Sequence, residues 1–306
     1  MKFFNQLIYM QWKKYWKQTF NIFSGTLLSI IIVFLWMVVR IQTLSLYDPY
    51  IFASSIAVIS IRNGTQTFVT MVDEIDRFIN IKTSYLTLKN RFISLFSIII
   101  FNQIINLINI LILLIIFLPF KEIRSSFNNI NWSMTIGGYV LLIMTANVIS
   151  YLLIMIIKKN EFVRIIIEIN YFLGVYLVGL VVPYELVYNH KTLVVMSYFV
   201  WYRYATNIFC SGYINATNFD FEGNNIHVDF GYNNDNKIAW VVAALILVLI
   251  IIMIVIIKII KHNKIKSVNK RNYKYMKKQL FDFYNSFNTK KELEAFLKKQ
   301  AGDKNE

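Results

Sequence analysis

The sequence predicts an all-α integral membrane fold with six transmembrane helices, and three observations carry this. Apolar blocks of span length recur along the chain, few charges interrupt them, and the positive charge is gathered at the two ends. Of 306 residues, 57% are hydrophobic and only 16% charged, with a mean hydropathy of +0.49. About a quarter of a soluble domain is charged. The apolar excess falls in blocks near 22–39, 51–71, 92–119, 134–157, 165–183 and 238–260. A helix needs about 20 apolar residues to cross the hydrocarbon core of a bilayer. Block 51–71 is the weakest, because Arg62, Asn63 and Gln66 interrupt it.

Charge sets the orientation. The net charge is +15. Residues 258–306 hold 14 Lys and Arg against 5 acids, or +9, and residues 1–21 hold Lys2, Lys13, Lys14 and Lys17 without an acid, or +4. Lys and Arg beside membrane spans are retained on the cytoplasmic side. Both termini are therefore expected in the cytoplasm, with no nucleic-acid partner. The first block starts after a leader rich in Lys and Trp and lacks a small-residue cleavage site, so it is read as a retained span. Cys210 is the one cysteine, which excludes an internal disulfide.

Each element follows in order. Residues 3–20 carry Phe4, Leu7, Ile8 and Tyr15 at helical spacing, Lys13, Lys14 and Lys17 on another side, and Trp12 and Trp16. This pattern predicts an N-terminal interfacial amphipathic helix on the lipid bilayer. The first span runs outward and the second returns to a polar, helix-compatible segment, 72–91. The third span goes out, the fourth returns to Lys158, Lys159 and Arg164, and the fifth goes out to Pro183. The prolines Pro49, Pro119 and Pro183 all fall at outer span ends, where their missing N–H costs least. Segment 184–236 is the largest outer region. Its middle, 192–210, is apolar enough to span, but a seventh crossing would put the +9 tail outside. It is therefore read as an outer re-entrant or interfacial pair of short helices carrying Arg203. After the sixth span, residues 262–306 form a basic cytoplasmic helical tail. An apolar stripe at Tyr275, Met276, Leu280, Phe281 and Tyr284 and a capping box from Thr289 to Glu292 mark its helices.

The chemistry is sparse. No glycine-rich loop ending in Lys and Ser or Thr can cradle a phosphate, no His-Glu-x-x-His pair is present, and no Gly-x-Ser-x-Gly elbow occurs. His190, His227 and His262 lack ligand spacing, so no metal site and no catalytic residue is assigned. Polar residues inside spans remain. Arg62 lies near the middle of the second span, where an unpaired charge is costly. It is either a functional group or the mark of a broken span. Asn102, Asn106 and Asn109 share one face of the third span, with Gln103 beside them. They either line a polar path or bond neighbouring helices, and the second role is favoured. Glu161, Arg164 and Glu168 have the spacing for local ion pairs.

The order of parts in 3–20, 72–91 and 184–236 resembles the membrane subunit of type-2 ABC exporters, over essentially the whole chain. The resemblance implies a permease domain over 1–261, acting as a half-transporter. A second permease chain, identical or different, would complete the translocation path, with Arg62, Asn102, Asn106 and Asn109 as candidates to line it. Separate ABC ATPase subunits would hold ATP and Mg, so no cofactor is expected on this chain, which would not itself be an enzyme. In that family the segment between spans two and three is a coupling helix that docks on the ATPase. Glu74, Asp76, Arg77, Phe78, Ile79, Lys82 and Tyr85 are then the coupling residues. Many members carry a Glu followed by Gly and Pro there; Glu74 stands for the acid, but 72–91 has neither Gly nor Pro. By analogy the substrate is an antimicrobial or other amphipathic peptide, and the setting the plasma membrane of a bacterium, consistent with codons rich in A and T for the many Ile, Asn and Lys residues. Two other readings stand beside it: a stand-alone membrane immunity or sensor protein without energy coupling, and a membrane enzyme with an unrecognised site.

The topology is testable directly. A cysteine introduced at Asn224 should react with an impermeant thiol reagent in intact cells. Reaction only after lysis would place 184–236 inside and overturn the predicted orientation.

Overall fold

The computed structural model describes residues 2–17, 51–73, 88–120, 127–157, 160–182, 190–216 and 237–260, with isolated positions at 27, 30, 31, 34, 35, 124 and 187. The bulk of the predicted first span and the whole of the tail 262–306 lie outside them. The chain divides into two compact units, 1–252 and 253–306, and only the helical residues 253–260 of the second are described.

Among the described residues every regular element is helical. Helix α1 spans Lys2–Lys17. Helix α2 spans Ile51–Arg62, passes into a π-turn at Asn63–Thr67, and regains α geometry over 68–73. Then come α3 (Leu88–Phe117), a short 3-10 turn (Phe127–Asn129), α4 (Trp132–Ile156) and α5 (Asn160–Tyr176). Helices α6 (Lys191–Tyr198) and α7 (Arg203–Ile214) precede α8 (Lys237–Ile260). Three helical stretches are long and apolar enough to cross a membrane: Ile93–Phe117, Trp132–Ile156 and Lys237–Ile260. At 1.5 Å per residue each is more than about 35 Å long, against a core of about 30 Å. The predicted second span appears as a helical path interrupted by the π-turn. The fifth starts earlier than expected, at Asn160, and ends at Tyr176 in a run of turns to 182.

Contacts fix the relative directions of the helices. Phe52 packs on Phe117 and Asn63 bonds Asn106, so α2 and α3 are antiparallel. Arg62 lies on Tyr171 and Gln66 bonds Glu168, so α2 and α5 are also antiparallel. Ser60 reaches Tyr139 and Gly64 meets Asn147 and Ser150, so α2 and α4 are parallel. Helices α2 to α5 thus alternate in direction. All of α2 is buried, from Ile51 to Arg62. That suits a helix apolar on nearly every side, since such a helix has no face that prefers water.

Helix α1 lies obliquely on α3. Phe4 packs on Phe96 and Tyr15 on Phe101. Eleven residues of α1, about 16 Å, therefore advance only about 7.5 Å along α3. Gln11 adds a buried hydrogen bond to Ser97 at 3.1 Å. Tyr15 joins Phe68, Met71, Val72, Ile98, Phe101 and Ile105 in one buried cluster, which ties α1 to the end of α2.

The expected pair of short helices in 192–210 is present as α6 and α7, separated by a break at 199–202. Helix α7 runs antiparallel to α4 in backbone contact. A Cβ on Gly138 would stand 2.5 Å from the Phe209 nitrogen, and one on Gly212 would stand 2.6 Å from the Thr135 nitrogen. The Asn131 N–H donates to the Gly212 carbonyl at 2.9 Å, while the Asn131 side chain caps α4 by accepting from the Met134 N–H. Asn215 ends α7 in the left-handed region at φ 52°, a frequent helix stop. Cys210 is buried in this contact, so reagent access to it does not report sidedness.

Gly138→Ala and Gly212→Ala should each lower the thermal transition of the detergent-solubilised protein, at a cost of about 1–3 kcal/mol for overpacking. Gly137→Ala should be milder, because its methyl would meet only the tip of the Trp240 side chain, at 2.4 Å. Equal melting of all three variants and the wild type would contradict the backbone contact between α4 and α7.

Candidate functional site

Polarity in this chain is inverted relative to a soluble protein. The outward faces are apolar: Leu107, Leu111 and Ile115 on α3, Ile136 and Val140 on α4, Ile165, Ile169 and Phe172 on α5, and Val241, Leu245 and Val248 on α8 are all exposed. Soluble monomers rarely present contiguous apolar surface on this scale. The interior meanwhile holds Arg62, Asn63, Thr65, Asn102, Asn106, Asn109, Asn147 and Ser150, each buried. Lipid demands this arrangement, since a polar group facing hydrocarbon has no partner.

The site is built on the π-turn of α2. At Gly64 a Cβ would stand 2.8 Å from the Ala146 Cβ, so glycine allows α2 and α4 to approach. The Ser150 hydroxyl donates to the Gly64 carbonyl at 3.0 Å, and the Thr65 hydroxyl donates to the Ile61 carbonyl at 2.7 Å. These side chains serve the backbone where the regular helical ladder is disturbed, a common arrangement at π-turns inside membranes. From the turn an amide chain crosses to α3. Thr67 donates to Asn63 Oδ1 at 3.2 Å, Asn63 Nδ2 to Asn106 Oδ1 at 2.8 Å, and Asn106 Nδ2 to Gln103 Oε1 at 3.4 Å. Asn102 donates to Asn147 Oδ1 on α4 at 3.1 Å. Asn109 has neither amide atom bonded among the described residues.

Arg62 occupies the last residue of α2 before the turn and is only 6% exposed. Its guanidinium lies 5.6 Å from the Tyr171 ring centroid. Glu168, one helical turn from Tyr171, faces Arg62 electrostatically and accepts a hydrogen bond from Gln66. The acid is half-buried, so the buried cation is met by a partly exposed counter-charge and an aromatic face. Beside these on α5, Asn170 donates to the Tyr202 hydroxyl at 2.6 Å, and Gly174 leaves room for the Tyr202 ring, 2.4 Å from where a Cβ would be. Arg203 is fully buried, donates to Ser197, and lies 4.2 Å from the Tyr198 ring centroid.

The structure thus brings Arg62, Asn102 and Asn106 into one interior layer with Asn63, Gln66, Asn147, Glu168 and Tyr171. Asn102 and Asn106 bond across helices, as the packing role requires. Glu168, predicted to pair within its own helix, turns to α2 instead. Asn147 and Ser150 are further members, and their only sequence signal was polarity in the middle of the fourth span. The coupling candidates Glu74, Asp76, Arg77, Phe78, Ile79, Lys82 and Tyr85 lie outside the described residues. Among the described residues no cluster of three His, Cys, Asp or Glu side chains is placed to hold a metal. The layer offers hydrogen bonds and a buried cation, Arg62, with the partly exposed Glu168 carboxylate in its neighbourhood.

No protein-family model matches the chain, and neither a curated protein nor a solved structure does.

Arg62 is buried while Glu168 is partly exposed, so removing the nearby carboxylate leaves the buried cation less offset than removing both groups does. Arg62→Gln and Glu168→Gln should each reduce the amount of folded protein in the membrane, Arg62→Gln more, since Arg62 is the more buried. The double variant should recover toward wild type. Fluorescence size-exclusion profiles of tagged protein measure this, and additive losses would show that the two side chains do not interact.

Proposed function

We propose that this chain is a membrane-spanning subunit of an ATP-driven ABC exporter, which forms its translocation path as a dimer with a second permease chain and is driven by separate ATPase subunits. The observation that carries the reading is the break at 199–202 that divides this region into the short helices α6 and α7. Beside the break Tyr202 reaches Asn170 and Gly174 in the C-terminal half of α5, while the far end of α7 meets Phe52 at the start of α2 through Tyr213. Two short helices in place of one continuous crossing, between the predicted fifth and sixth spans, support a re-entrant segment. The oblique setting of α1 on α3 supports an interfacial helix preceding the first span.

In this reading the six spans alternate with both termini in the cytoplasm of a bacterium. The layer around Arg62, Asn102, Asn106 and Asn109 borders the path, and an amphipathic peptide is the cargo. Segment 72–91 continues directly from the buried α2 and leads into α3. A push on it by an ATPase would therefore reach the π-turn and the amide layer through two connected helices. Its mixture of Glu74, Asp76, Arg77 and Lys82 with Phe78, Ile79 and Tyr85 suits a polar interface with an apolar centre.

The test is association and coupling. Wild-type chain extracted from its native membrane in mild detergent should carry an ATPase subunit whose turnover responds to amphipathic peptide. The Phe78→Asp/Ile79→Asp variant should insert at normal level and lose both. Wild type without ATPase activity, or a double variant that keeps it, would favour the stand-alone immunity or sensor reading.

A further inference from the structure

The α1 helix has a face that the protein core leaves mostly outward, although Trp12 also packs edge to face on the buried Phe101 at 6.3 Å. Leu7, Gln11 and Tyr15 recur at four-residue spacing and are buried on α3. The face that remains carries Tyr9, Trp12, Lys13, Trp16 and Lys17, all exposed. These again follow helical spacing, so they form one stripe. Its cations and aromatics are organised together: the Lys13 ammonium lies 4.7 Å from the Tyr9 ring centroid, and Trp12 and Trp16 pack edge to face at 5.7 Å. The helix contains no acidic residue to neutralise the lysines.

This differs from a free amphipathic helix, which would put its apolar side into lipid. Here Leu7 and Tyr15 are committed to α3, so the surroundings meet indoles, a phenol and two ammonium groups instead. Since α1 runs obliquely to a helix long enough to span, it lies partly along the plane of the bilayer near one end of α3. Indole and phenol rings favour the headgroup region, where one end of the ring is wet and the other apolar. Lysine at that depth meets the phosphates, and an anionic leaflet attracts each such charge.

We propose that the Tyr9–Lys17 stripe of α1 is a docking surface for anionic phospholipid headgroups, which distinguishes phosphatidylglycerol from phosphatidylcholine by charge. The occupant is lipid rather than a soluble anion, because the aromatic residues between the lysines give apolar contact that only acyl-linked glycerol phosphate can use. The inference rests on the membrane location of α3 and not on the exporter reading. Its test needs no ATPase, so the two can fail separately.

Full-length protein purified in detergent is equilibrated with a mixture of phosphatidylglycerol and phosphatidylcholine, and bound lipid is counted by native mass spectrometry. Wild type should retain phosphatidylglycerol preferentially. Lys13→Gln/Lys17→Gln should reduce that preference by about thirty-fold, from the attraction of two lysines to an anionic surface, and leave phosphatidylcholine retention unchanged. Lys13→Arg/Lys17→Arg should keep it. Both lysines are exposed, so the fold should persist, and an unchanged thermal transition confirms that the comparison is like with like. Equal phosphatidylglycerol preference in wild type and the Gln variant would overturn the proposal, as would displacement of the lipid by inorganic phosphate at matched concentration.

Discussion

The buried charge of Arg62 constrains most of what surrounds it. A guanidinium enclosed within a helical bundle cannot be left to solvent, and the cost of isolating it exceeds that of any single packing defect. Its surroundings come from α5, where the Tyr171 ring lies on the guanidinium and the Glu168 carboxylate is nearby, so α5 lies against α2. Gln66 on the π-turn binds the same acid, which ties the turn to α5 too. Once α5 is held there, Asn170 and Gly174 present a seat for Tyr202, and the position of the break before α7 follows.

The π-turn is the geometric counterpart of that constraint. The wider turn shifts the residues that follow it relative to a regular helix, and across it Asn63 bonds α3, Gly64 gives close approach to α4 and Gln66 bonds α5. Serine and threonine side chains then supply the hydrogen bonds that the disturbed ladder needs. The result is a layer in which α2 is bonded to α3, α4 and α5, inside a surface that is largely hydrocarbon. Without a hydrophobic drive between helices in lipid, such hydrogen bonds and small-residue contacts are what hold a bundle together. Gly138 and Gly212 do the same for α4 and α7.

Much of the architecture was legible in the residues because lipid imposes a length and a charge rule that act locally. The stretches around 92–119, 134–157 and 238–260 needed no knowledge of one another to be recognised as span-length helices, and the structure has α3, α4 and α8 within a few residues of them. The helical repeat of 3–20 was likewise local, and α1 follows it. The break in 192–210 rested on charge parity, and two short helices stand there. The inner face of the third span was readable as an amide stripe because a 3.6-residue period is a property of one helix alone.

Pairing between helices was not legible, because it depends on which faces meet across tens of residues. Glu168 had acceptable local partners in sequence, yet its bonded partner is Gln66, more than a hundred positions away. Asn147 and Ser150 looked like ordinary interruptions of an apolar run until α4 was set against the π-turn. The apolar residues of α1 fitted lipid as well as protein by their spacing, and only the contact of Tyr15 and Gln11 with α3 decided between them. The sequence by itself determined that apolar helices of membrane length alternate with charged ends, since hydropathy and charge act residue by residue. The tertiary structure decided which polar residues share a layer and which face of α1 is left outward, since each of those depends on the register between helices that no local pattern encodes.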